Sequence, residues 1–120
     1  MAENTTQKTD ALACDRASAL TGLVEVAPGA IVSRVLAKSD GGNVTLFAFD
    51  QGQGLSEHTA PFDALVQVVD GTLNVTIGGV EVRLSGGEIV RMPAGVPHAL
   101  FAPEPVRMLL TMLRERAGEE

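Results

Sequence analysis

The sequence has no tryptophan, no tyrosine and four phenylalanines, so aromatic rings make up 3% of its 120 residues. Stacking platforms for bases or sugars therefore do not dominate its function. Cys14 is the single cysteine, which excludes an internal disulfide and fits a reducing compartment. No run approaches the roughly 18 apolar residues of a membrane-spanning helix. The polar opening MAENTTQKTD has no apolar core of a signal peptide. A cytoplasmic location is the expectation. Positive charge is also scarce: 9 Lys and Arg against 15 Asp and Glu give a net charge of −6. Arg34, Lys38, Arg83, Arg91 and Arg107 are scattered and form no basic patch. Without such a patch, neither nucleic acid nor a membrane is expected as a partner.

What is present fits one globular domain. A chain of this length buries enough surface to hold a single core without staples. Its 45% apolar and 20% charged residues are ordinary for such a domain. Residues 1–9 are rich in Asn, Thr and Gln and read as a flexible tail; 10–113 read as the domain and 114–120 as a polar tail. The stretch DALACDRASAL (10–20), with Asp10 as N-cap, is the best helix candidate and predicts a helical turn or two.

From residue 23 the texture is β. Short runs at 31–38, 44–50, 64–70, 72–78, 80–84, 89–92 and 106–113 are separated by DGGN, QGQG, Gly71 and SGGE. Gly78-Gly79 is a two-residue hairpin signal. In TLNVTI, Leu73, Val75 and Ile77 fall on one face, as in a strand with one side buried. The last run differs: Met108, Leu110 and Met112 share one face, and Leu109 and Leu113 the other. Such a strand is either buried on both sides by its own chain or part of a dimer surface, and a homodimer is the expectation. Regularly spaced short strands predict an all-β sandwich or barrel.

The chain has two histidines, His58 and His98, each beside turn residues at a strand edge. His98 follows MPAGVP, in which Pro93 and Pro97 stiffen the backbone. These residues resemble the two motifs of small single-domain cupins. Gly52, His58 and Gly71 stand at first-motif positions, with Ala60 and Ala64 where the family has His and Glu. Gly87, Pro93, Gly95 and His98 match the second motif, with Ala102 in place of Asn. The likeness spans residues 44–103. It implies a double-stranded β-helix, or jelly-roll, barrel with His58 and His98 pointing inward from neighbouring strands.

Full-set members of the family hold a divalent metal with three His and one Glu, and this chain keeps two of those ligands. Catalytic zinc takes three protein ligands and non-haem iron two His and a carboxylate. The chain is thus expected to hold Zn, Ni, Fe or Mn weakly at His58 and His98, or no metal. The two alanines predict a roomier, more apolar pocket. Its expected lining is Phe47 or Phe49, Phe62, Val66, Met92, Leu100 or Phe101, and Met108, the alternative being ordinary barrel core. Asp63 joins the site only if the 61–63 turn curls over the mouth. The histidines there suit hydrogen bonds to a carboxylate or carbonyl, or proton transfer. Three functions follow: a small-molecule-binding barrel with no assigned reaction; a metal-dependent dioxygenase, isomerase or lyase of organic acids; or a non-catalytic dimeric interaction or sensor domain. Ser18 and Ser56 lack the pattern of an activated nucleophile. Arg34 reads as solvated, with an anion anchor as the alternative.

Overall fold

The structure, a computed structural model, describes residues 5–8 and 12–114. Ten strands follow one another: β1 (Thr5–Lys8), β2 (Ile31–Ser39), β3 (Gly42–Phe49), β4 (Gly54–His58), β5 (Asp63–Asp70), β6 (Thr72–Ile77), β7 (Val80–Ser85), β8 (Ile89–Met92), β9 (His98–Phe101) and β10 (Val106–Leu113). They form a six-stranded sheet, β1-β2-β3-β10-β5-β8, and a four-stranded sheet, β4-β9-β6-β7. Every pair is antiparallel except β1 with β2. The all-β jelly-roll expectation therefore holds. No helix among the described residues is long and apolar enough to cross a membrane.

Alternation builds the core between the sheets. Leu73 and Val75 of β6, Val66 and Val68 of β5, Phe49 of β3 and Met108 of β10 are each at most 1% exposed. Their intervening neighbours face out, as the period of two requires. The Gly78-Gly79 turn has φ of 57° and 84°, the left-handed pair that a tight hairpin demands. At Gly71, φ is +88°, and a Cβ would run into the carbonyl of Pro105. Glycine there lets β5 and β6 turn against the start of β10.

The other face of the large sheet is covered by the chain itself. Leu20, Leu23, Val24 and Val26 pack over Val32, Leu36, Leu46, Ala48 and Leu109. Leu109 is thus partly buried against the N-terminal strap of its own chain. Met108, Leu110 and Met112 face the inner core, while Leu113 is 49% exposed.

The strap is not the helix expected over 10–20. Residues 12–19 are non-helical, and Leu20–Gly22 make a single 3-10 turn without a side-chain cap; Asp10 lies outside the described residues. Helices draw most of their stability from a buried face. Here residues 14–19 are all exposed, so nothing rewards coiling. The strap instead turns at Pro28-Gly29, where the Gly29 N–H donates to Asp50 Oδ2 at 2.7 Å. Of the expected tail over 1–9, residues 5–8 pair with β2 and the rest lies outside the described residues, as do 115–120.

Candidate functional site

Two strands that periodicity did not delimit, β4 and β9, carry the histidines and are neighbours in the small sheet. His98 opens β9 and is paired directly with His58, the last residue of β4. The pairing depends on a bulge. Leu55 pairs with Leu100, yet three residues later on β4 His58 meets His98, two residues away on β9. Leu55 packs on the inner core, and strict alternation would turn His58 outward. The extra residue resets the parity and brings His58 beside His98. The strand ends at His58, so Ala60 lies in the following loop.

The loop before His98 is fastened on three sides. Ala94 N–H donates to Asp63 Oδ1 at 2.8 Å, Gly95 N–H to the Ala60 carbonyl at 2.8 Å, and Gly78 N–H to the Pro97 carbonyl at 2.8 Å. Asp63 therefore holds the rim from outside, with Arg91 Nη1 at 3.1 Å from its other oxygen, and does not join the histidines. The Ala94 N–H, and then Arg91, hold the Asp63 carboxyl below the usual carboxylate range. The motif glycines Gly52, Gly71, Gly87 and Gly95 all have positive φ, which is the backbone reason for their spacing.

The rings meet edge to face with centroids 4.3 Å apart. His58 Nδ1 lies 2.8 Å from the Ser56 carbonyl, and His98 Nδ1 lies 3.1 Å from the Val96 carbonyl. A carbonyl only accepts, so each Nδ1 carries the proton of its bond. Each Nε2 of a neutral ring is then a bare acceptor. The two Nε2 atoms stand 3.1 Å apart. At that distance two lone pairs repel unless a proton, a ligand donor or a cation joins them. His98 is buried and His58 exposed, so the pair opens to solvent on one side. Ser56 meets His58 through its backbone carbonyl, which gives its hydroxyl no base.

Of the rest of the expected lining, Leu100 shares the face of His98 on β9. Phe49 and Met108 are fully buried and Met92 is 3% exposed, all in the inner core with Val66 and Leu100. Ala64 is buried in the same cluster, with Met92 and Met112 as its register partners on either side. Phe62 lies outside this core, with Arg114 stacked 5.2 Å from its ring centroid. Phe101 is exposed. Four surface depressions have volumes of about 340, 410, 330 and 390 Å³, and none of the four borders His58 or His98.

A metal fits the pair in type but not in number. Anchoring Nδ1 on a carbonyl while Nε2 faces the site is how metal-binding histidines are oriented. Among the described residues, however, no three His, Cys, Asp or Glu side chains gather. Two ligands fall short of the three that catalytic zinc takes from its protein.

Comparison with known proteins agrees with this architecture. The cupin domain family matches residues 45–112. A conserved protein of unknown function from Streptococcus pyogenes is 32% identical, with 92% of this chain and 96% of that one covered at a TM-score of 0.85. A cupin superfamily protein from Desulfitobacterium hafniense is 27% identical over 87% of this chain and 95% of its own, at a TM-score of 0.82. KdgF from a Halomonas species is 25% identical over 77% of this chain and 86% of its own, at 0.63. Among curated proteins, none matches the chain.

Proposed function

The chain belongs to the cupin domain family, and from that premise we propose that it binds a small organic molecule at the mouth of the barrel, with His58 and His98 as the polar anchor. One observation carries the reading: two Nε2 acceptors converge at 3.1 Å, each fixed through its own Nδ1. The matching ligand group is a hydrogen-bond donor facing both nitrogens: an amine can donate one N–H to each, a hydroxyl its one proton to either. A carboxylate would suit this pair only with a further proton on each ring. Phe49 and Met108 are fully buried while His58 is exposed, which favours a ligand at the rim.

The test is protein-observed NMR with a panel of small alcohols, amines and amides. Saturable shifts of the His58 and His98 ring signals, lost in His58→Ala and in His98→Ala, are expected. Ring signals that stay still across the panel, or binding that survives both substitutions, would sink the proposal.

A second reading, a divalent-metal-dependent enzyme, is favoured by the same orientation of both Nε2 atoms. The remaining ligands would come from solvent and substrate. Elemental analysis per subunit, repeated on His58→Ala, decides it: metal near one equivalent and lost in the variant supports this reading, and metal-free folded protein removes it.

A further inference from the structure

We propose that the depression between the N-terminal strap and β2 is a second binding site, for small monocarboxylates with an apolar body, anchored by Arg34. The expectation of a solvated Arg34 holds only in part, because the residue is half-buried. Its side chain lies on the outer face of the large sheet beneath the strap, with Nη1 donating to the Leu23 carbonyl at a long 3.3 Å. Its Nε is buried and has no hydrogen-bond partner among the described residues. No carboxylate among those residues lies within ion-pair distance of it.

Arg107, under the same strap, shows what a satisfied guanidinium looks like here. Its Nε donates to the Val24 carbonyl at 2.9 Å and its Nη1 to Asp70 Oδ2 at 2.9 Å, and Glu25 stands 3.8 Å from Nη2. Arg34 has one weak bond where Arg107 has two strong ones and a nearby carboxylate. A buried donor without a partner is unfavourable, and charge-assisted bonds from a guanidinium are among the strongest available.

The depression has the size and lining for the missing partner. Its volume is about 410 Å³, and Leu23, Val24, Ala27 and Val32 line it beside Arg34 and Glu25. That volume lies within the range of small-ligand sites. The Nε edge of a guanidinium presents parallel donors that match the two oxygens of a carboxylate. The apolar residues suit a short hydrocarbon body. Glu25, 83% exposed on the rim, disfavours a doubly charged ligand such as phosphate. The weak tether to Leu23 leaves the Arg34 head free to turn toward an incoming anion.

Butyrate titrated into the full chain, followed by the NMR signal of the Arg34 Nε–H and the Leu23 and Val32 amides, tests this. Expected are saturable shifts with butyrate, none with butyramide, and loss of the shifts in Arg34→Gln. Glu25→Gln removes a like charge and should tighten binding about two- to fivefold, as an exposed charge permits; it also serves if Arg34→Gln fails to fold. His58→Ala should leave the butyrate shifts intact, which separates this site from the rim. An unmoved Arg34 signal, equal shifts with butyramide, or shifts produced equally by inorganic phosphate would overturn the proposal.

Discussion

The two faces of the six-stranded sheet are closed by different means. The inner face meets the second sheet, and Phe49, Leu73, Val75 and Met108 are packed there to at most trace exposure. The outer face is closed by the strap, laid over Leu36, Leu46 and Ala48 and fastened by side chain to carbonyl bonds from Arg34 and Arg107. The inner face is mainly apolar, with Ser33, Thr45 and His98 as its buried polar residues. The outer face uses two cations, and among the described residues one of them is short of partners. The two proposed sites lie at the rim, where two imidazoles face each other, and under the strap, beside Arg34.

The largest way to break this contrast is to hollow the inner face. Phe49→Ala removes a fully buried ring in contact range of Phe47, whose centroid is 6.0 Å away. The loss should be about 3–5 kcal/mol, as for other buried aromatics cut to alanine. Chemical denaturation gives the value directly. A loss under about 1 kcal/mol, well below the usual range for such cavities, would mean that the interior is looser than its exposure indicates.

Next in size is the satisfied arginine. Arg107→Ala removes the bonds to Val24 and Asp70 and leaves a carbonyl of the strap without its donor. About 1–3 kcal/mol is expected for such a loss. Hydrogen exchange should localise it to residues 20–26 rather than to the inner strands. Uniform deprotection would show that strap and barrel unfold as one unit.

How much of this was written in the sequence depends on how far apart the deciding residues lie. The strands of the inner core were legible because alternation is local, and the turns because Gly71 and Gly78-Gly79 mark backbone that other residues avoid. The histidines were legible as a pair because the flanking glycines and prolines stand at the family's spacings. The β4 bulge was not, since nothing between Leu55 and His58 announces an extra residue. Nor were the neighbours of Ala64, since Met92 and Met112 come from two other strands. The strap was misread as a helix because local propensity is a weak signal and tertiary packing overrides it. Once the strap lies flat, Leu109 is covered and Arg34 is enclosed. Both consequences were invisible from β2 and β10 alone.

At the rim the effect is smaller and depends on pH. The Asp63 carboxyl is held low by the Ala94 N–H and by Arg91. A group whose folded pKa is depressed adds stability that is present above its unfolded value and lost as pH falls through the folded one. Denaturation midpoints followed from pH 7 down through the acid range should thus fall less in Asp63→Asn than in the parent. Parallel curves would show that the tie between Asp63 and the 93–97 loop contributes no pH-dependent stability.

The smallest expected effect is the most informative. Arg34→Met keeps an unbranched side chain beneath the strap and removes a buried donor that has no partner among the described residues. Replacing an unsatisfied polar group by an apolar one of similar shape is close to neutral or stabilising. The thermal midpoint should therefore stay or rise, whereas Arg107→Ala lowers it. A chain selected for stability alone would gain nothing from an arginine here. If Arg34→Met is as stable as the parent and loses the butyrate shifts, the residue serves a ligand and not the fold. A clear fall in the midpoint would instead make Arg34 a second fastening of the strap, equivalent to Arg107, and the asymmetry between the two arginines would vanish.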